Sequence, residues 1–214
     1  MKTTGEDPNR FTLLYNWTVA NWSSGNFTAL KADGTSAGVY LEKYGSSTKQ
    51  SDENGYYFQL TSSAYLRKIA AGGTITIPRN WMFEITFVRV ASTATMSPFS
   101  WGGANNSVAQ INITSGGALS DTCKPTSSTA SGGVGTFPGV TIQTGVLYTI
   151  RYGCEMYSET QDLQWFEYDG VRKKASTPHA PFSNLSSGGL RALGRNTDAM
   201  KLYSFKVYTD TKTV

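Results

Sequence analysis

Strand-like runs recur roughly every ten residues along this chain, and no stretch carries apolar residues at helical spacing over three turns. That pattern admits few architectures. Short strands with regular turn signals have to close into a sandwich or a barrel to bury their apolar faces. The clearest run is Trp81 to Val90, with Phe83, Ile85 and Phe87 on one face and Met82, Glu84, Thr86 and Val88 on the other. Phe11 to Val19 alternates Phe11, Leu13, Tyr15, Trp17 and Val19. Gly38 to Tyr44, Tyr56 to Thr61, Thr74 to Pro78, Ser107 to Thr114, Val140 to Gln143, Val146 to Tyr152, Leu190 to Leu193 and Met200 to Tyr208 read the same way. Another strand is expected around Gly117 to Cys123, leaving a loop at Lys124 to Gly139.

The stretch LQWFEYDGVRKK, Leu163 to Lys174, adds a turn of defined type. Asp-Gly between two strand-like runs signals a hairpin, because a type I′ turn needs positive φ at both central positions. Asp169 and Gly170 therefore sit at the tip, with Leu163 to Tyr168 leading in and Val171 to Ala175 leading out. Gln164, Phe166 and Tyr168 share one face, and Leu163, Trp165 and Glu167 the other. An aromatic beside a carboxylate is a combination that sugar recognition uses.

The chain has 214 residues, enough for one well-packed β domain. Its 12 Tyr, 10 Phe and 5 Trp supply apolar area that a disordered chain lacks. Charged residues make up 16%, against about 25% in an ordinary domain. The net charge of +4 is local: the last 50 residues hold 8 Lys/Arg and 4 Asp/Glu, and the first 164 hold 11 of each. Apart from the consecutive Arg172, Lys173 and Lys174, these cations are spaced singly, as on the wet face of strands, rather than in a dense run, so specific nucleic-acid binding is not expected. No segment reads as a membrane span. Met1 to Asp7 lacks an apolar core, so no signal peptide is visible in this chain. That fits a component of a virus particle, or a surface protein whose leader has been removed.

Cys123 and Cys154 are either two separate thiols or, if their segments pair antiparallel across the loop, a disulfide. His179 stands between Pro178 and Pro181, and one His with two distant Cys is a poor zinc set. Calcium wants several oxygen ligands from nearby loops. No dense Asp/Asn cluster appears, so no cofactor is required and a calcium ion is at most optional. Six Asn-x-Ser/Thr triplets, at Asn16, Asn21, Asn26, Asn105, Asn112 and Asn184, reflect the Ser/Thr-rich composition.

Several segments, in order, resemble the laminin-G-like / concanavalin A-like lectin-glucanase jelly roll. NWMFEITFVRV (Asn80 to Val90) resembles that family's early central strand, and SPFSWGG (Ser97 to Gly103) the strand that follows and ends in glycines. GVLYTIRYG (Gly145 to Gly153) resembles the strand usually introduced by Gly-Trp-Tyr, with Leu147 where Trp is common. LQWFEYDGVRK resembles the strand–Asp-Gly–strand hairpin, and GGLRALGR (Gly188 to Arg195) and KLYSFKVYT (Lys201 to Thr209) the two closing strands. The resemblance implies a single all-β domain over residues 1–214, a two-sheet antiparallel jelly-roll sandwich. Its recognisable core spans 50–210, and residues 1–45 supply the first strand, next to the last one, and an N-terminal extension. Versions with a similar last strand occur in phage fibres and bacterial surface proteins.

The fold does not set the function. Glycan hydrolysis needs two carboxylates facing one substrate. Laminarinase-type members carry Glu, Asp and Glu at alternate positions of one strand, and this chain has no such run. Glu84 stands alone among Phe83, Ile85, Thr86 and Phe87. CEMYSETQD, with Glu155, Glu159 and Asp162, reads as a solvated hairpin loop, and Asp169 is taken by the turn. No catalytic residue is therefore assigned. For binding, the candidates are Trp101 with Asn105 and Asn106, Trp165 with Glu167, and Tyr157 after Cys154. Trp101 either offers a platform or closes the end of the sandwich, and Trp165 is either platform or core. The expected activity is non-catalytic recognition of a carbohydrate or host receptor, at an exterior or virion surface. The first alternative is a structural virion or surface component packing against other subunits or against copies of itself without sugar binding, and the second is a glycan hydrolase or lyase.

Overall fold

In the computed structural model, residues 10–75, 77–102, 108–124, 133–137, 139–182, 190–194 and 199–210 are described. The chain is all-β, and its only helical pieces among the described residues are two short 3₁₀ turns, Val19–Asn21 and Ala70–Gly72. The strands are β1 (Phe11–Thr18), β2 (Phe27–Leu30), β3 (Ser36–Tyr44), β4 (Lys49–Asp52), β5 (Gly55–Leu60), β6 (Tyr65–Arg67), β7 (Trp81–Arg89) and β8 (Phe99–Gly102). They continue with β9 (Val108–Ile113), β10 (Leu119–Lys124), β11 (Leu147–Ser158), β12 (Gln161–Tyr168), β13 (Val171–Lys174), β14 (Leu190–Leu193) and β15 (Met200–Asp210).

Among the described residues every strand ladder is antiparallel. The larger sheet runs β3-β2-β1-β15-β7-β11-β12-β13, with the β4-β5 hairpin added on β15. The smaller runs β10-β9-β8-β14-β6-β3. β3 belongs to both: Tyr40 and Leu41 pair with β2, and Glu42 to Tyr44 pair with β6. As expected, the first strand lies against the last, from Phe11 opposite Asp210 to Thr18 opposite Ser204.

The core lies between the sheets. β7 sends Trp81, Phe83, Ile85 and Phe87 inward, and the Phe83 ring stacks on Trp101 of β8 at 5.0 Å and 18°. Tyr152 and Phe166, directly opposite on β11 and β12, extend this layer. Such rings bury the largest apolar areas available to a side chain.

Several expectations are corrected. Thr74 to Pro78 forms no strand among its described residues, although Ile75 and Ile77 are buried. Val140 to Gln143 contributes only a bridge, Thr141 to Ala118. CEMYSETQD is not a solvated loop: β11 continues to Ser158, and Glu155 and Asp162 are buried. Glu155 accepts a hydrogen bond from Arg10 at 2.8 Å and pairs with Lys174; Asp162 accepts from Arg79 at 2.6 Å. β10 pairs with β9, and β11 with β7 and β12, so the two cysteine strands sit in different sheets. Cys123 and Cys154 are free buried thiols.

Candidate binding site at the hairpin tip

The β12–β13 hairpin closes as its sequence dictates. Tyr168 sits opposite Val171, and Asp169 and Gly170 have φ of 50° and 71°. Alternation turns Trp165 and Glu167 to the outer face of the larger sheet, while Leu163 is half-buried and packs against the core cluster.

One row of that face carries alternating charge across five neighbouring strands. Lys206 on β15 faces Glu84 on β7, Arg151 on β11, Glu167 on β12 and Arg172 on β13. Lys206 Nζ donates to Glu84 Oε1 at 2.9 Å. Arg151 donates from Nε to Glu84 Oε2 at 2.9 Å and from Nη1 to Glu167 Oε1 at 2.7 Å. Arg172 Nη2 donates to Glu167 Oε2 at 2.6 Å. Each carboxylate thus lies between two cations. Burial pushes the carboxyls of Glu84 and Glu167 up, but these hydrogen bonds and charges outweigh it and hold both below the ordinary value. Both are anions at neutral pH, and neither is poised as a general acid.

Beside the Arg151–Glu167 pair, a pocket of about 200 Å³ opens at the tip, lined by Thr149, Arg151, Glu167, Tyr168, Asp169 and Gly170. Arg151 is 44% exposed while tied to both carboxylates. The pocket therefore presents hydrogen-bonding groups already fixed in place, which saves ordering cost on binding. Two groups of this pocket, Thr149 and Arg151, are not evident from the sequence alone. The signal is the alternation of VLYTIRYG, which puts both on one face while Tyr148, Ile150 and Tyr152 go inward.

The other candidates do not gather here. Trp165 is completely buried although it lies on the outer face. Its ring rests over Gly153, under the Arg172 guanidinium at 3.8 Å, and 6.0 Å from the Phe11 ring. Trp101 is also completely buried, stacked in the core on Phe83. Neither indole can serve as a platform, because each already spends its faces on the chain's own groups. Tyr157 is 56% exposed, but it stands near the Glu159 turn at the far end of β11. Six residues of β12 separate that end from Glu167, roughly 20 Å of strand. Asn105 and Asn106 lie outside the described residues. Among the described residues no three His, Cys, Asp or Glu side chains come together to hold a metal ion.

No protein-family model matches the chain, and no curated protein sequence matches it. Solved structures share its fold. Domain 4 of AbnA, an extracellular GH43 arabinanase from Geobacillus stearothermophilus solved with arabinotriose, superposes with a TM-score of 0.60 at 13% identity, covering 96% of each chain. The botulinum neurotoxin serotype G binding domain gives 0.60 at 9% identity, over 94% of this chain and 49% of that one. Trypanosoma rangeli sialidase gives 0.57 at 11% identity, over 92% and 30%. The chain thus spans about half the length of the neurotoxin binding domain. At these identities the likeness shows the β-sandwich fold alone, and none of these matches carries the laminin-G-like or concanavalin A-like name. No described helix is long and apolar enough to cross a membrane.

Proposed function

We propose that this domain is a non-catalytic recognition module that binds carbohydrate or a host receptor at an exterior surface, as on a phage fibre or a bacterial surface protein. The observation that carries the proposal is the hairpin-tip pocket, where Arg151, Glu167, Asp169 and Thr149 meet around about 200 Å³. A guanidinium and a carboxylate fixed side by side suit the donors and acceptors of a sugar's neighbouring hydroxyls. Sharing a fold with a neurotoxin binding domain and with an arabinanase domain solved with arabinotriose supports the reading. Catalysis is disfavoured by the same ion pairs, since a glycosidase pair needs one carboxyl held protonated.

A glycan array and a host-cell binding assay test this. Wild type is expected to bind, and Arg151→Ala to bind at least tenfold more weakly. Binding to no glycan and no cell sinks the proposal. Release of reducing ends from a polysaccharide panel, lost in Glu167→Gln, replaces it with a hydrolase.

One observation favours the second reading, a structural component. Val90, Val146, Leu147 and Val171 are 40–61% exposed and lie at the same end of the larger sheet as the tip, Leu147 on its outer face and Val171 on the other. Exposed aliphatics at one end of a sheet suit another subunit or a second copy. Sedimentation showing a stable trimer or dimer that Leu147→Lys and Val171→Lys dissolve would support it.

A further inference from the structure

Past β13 the chain makes a closure that the hairpin site does not use. Ala175 N donates to Gln164 O at 2.8 Å, and residues 176–178 then leave the ladder. The chain returns at a single antiparallel bridge, where Asp162 N donates to His179 O at 2.8 Å and His179 N to Asp162 O at 2.9 Å. Residues opposite each other in such a pair share a face. Asp162 stands on the inward face of β12 with Gln164 and Phe166, so His179 turns inward too, and it is 5% exposed. Phe182 lies edge-on to the imidazole at 5.3 Å and 5.9 Å from the Trp81 ring. Residues 176–182 thus strap the end of the core, fastened by one bridge and two rings.

The imidazole in this strap suits one charge state. His179 Nδ1 lies 2.6 Å from Ala180 O. A carbonyl only accepts, so Nδ1 carries the proton and Nε2 keeps its lone pair. Nε2 is buried and has no partner among the described residues. A second proton would make it a charged donor with nothing to donate to, which costs more than an idle lone pair. The titratable groups of this interior are already engaged. Asp162 of β12 accepts from Arg79 Nε at 2.6 Å. Asp121 of β10 accepts from Val134 N at 3.1 Å, Gly135 N at 2.9 Å and the hydroxyl of Tyr152 on β11 at 3.0 Å. Burial holds the thiols of Cys123 on β10 and Cys154 on β11 protonated. Burial also pushes the imidazole below its ordinary 6.5, and the Ala180 carbonyl and the charges of Asp162 and Asp121 pull it back only in part.

We propose that residues 176–182 form an acid-released strap, docked while His179 is neutral and let go when it is charged. The sign follows from linkage. The docked ring resists a proton that the released ring takes up at its ordinary value, so docking is at full strength above pH 6.5 and weakens as pH falls below it. A single proton bounds the effect: between pH 7.5 and pH 5.5 the released fraction rises severalfold, by at most about tenfold. In global stability Asp121 and Asp162 work the other way, since burial raises both and acid relaxes them. The signature is therefore local to the strap. Release uncovers Trp81, at the pole away from the Asp169–Gly170 tip, so the strap operates whether or not the tip binds a ligand.

Two measurements on the full chain test it. His179 is the chain's only histidine, so its signal in an NMR titration is unambiguous, and it is expected to titrate below 6.5. Hydrogen exchange then follows the Asp162 and His179 amides at pH 7.5 and pH 5.5, read as protection factors so that the intrinsic pH dependence of exchange drops out. Wild type should lose protection at these two amides severalfold at pH 5.5, while the amides of β7 keep theirs. His179→Gln and His179→Phe should each give the same protection at both pH values. A ring that titrates at or above 6.5 overturns the proposal, and so does wild-type protection that does not change with pH. A loss that persists in both variants overturns it as well and assigns the pH dependence to another group. Should both variants be unprotected already at pH 7.5, the two wild-type measurements decide alone.

Discussion

Gly153 lies directly beneath the indole of Trp165, so close that a Cβ built on Gly153 would stand 2.1 Å from Trp165 Cζ2. The contact is between neighbours on one face, since the two residues are opposite each other on β11 and β12. Gly153→Ala therefore forces the ring outward against Arg172 and Phe11. Overpacking of this kind costs about 1–3 kcal/mol. Thermal unfolding should show a midpoint lowered by several degrees, and an unchanged midpoint would mean that the ring moves freely.

Trp165→Ala should cost more, about 3–5 kcal/mol, as expected for deleting a buried aromatic. Chemical denaturation measures it. Because the ring is not a platform, the folded fraction of this variant is expected to keep whatever glycan or cell binding wild type shows.

At the hairpin tip, Gly170 adopts φ of 71° and Asp169 φ of 50°. Replacing Gly170 with Val puts a β-branched residue where only glycine is at ease, at a cost of about 1–2 kcal/mol. Asp169→Asn should be close to neutral, since Asn tolerates the left-handed region. Comparing the two by urea unfolding separates the backbone effect from the charge.

Acid should loosen the outer face of the larger sheet. Glu84 and Glu167 have folded values below their ordinary 4.5. A depressed carboxyl contributes stability above its unfolded value and loses it as pH falls through the folded one. The loss therefore begins below about pH 4.5. Asp121 and Asp162 act in the opposite sense, because burial raises both, so they strain the fold at neutral pH and relax on protonation. In Glu84→Gln/Glu167→Gln the decline between pH 5 and 3 should flatten, read by denaturation at each pH. At pH 7 the same double variant should be less stable by about 2–4 kcal/mol, discounted for the exposure of Arg151.

Burial pushes the thiols of Cys123 and Cys154 well above the ordinary value. Thiols held protonated are poor nucleophiles. Native protein should react with a thiol reagent such as DTNB at least a hundredfold more slowly than protein in guanidinium, and then at both positions.

Much of the architecture is legible in the chain, because its long strands are buried and alternate. Trp81–Arg89 and the Asp169–Gly170 turn are fixed by local rules. KQSD (β4) and YLR (β6) escape notice, since one is wholly polar and both are short, and pairing with β5, β3 and β14 makes them strands. Thr74 to Pro78 has the right residue types, yet its described residues pair with nothing in the strand ladders. At the site, Glu167 is readable as an outward carboxylate beside Trp165. What hides Trp165 is not local: Phe11 comes from the other end of the chain and Arg172 from the next strand.

Phe11 and Asp210 face each other on neighbouring strands, at the end of the sheet where Thr209, Trp81, Cys154 and Gln164 stand in line. From Gln164 to Asp169 the strand runs five residues farther, roughly 17 Å. The chain thus enters and leaves the sandwich side by side, at the pole away from the Asp169–Gly170 tip. Joining Asp210 to Phe11 with a short linker and reopening the chain in another turn should give a viable circular permutant. For the same reason the whole sandwich can be grafted as an insert into a loop of a carrier protein, which would hold it by a double stalk with the tip facing outward.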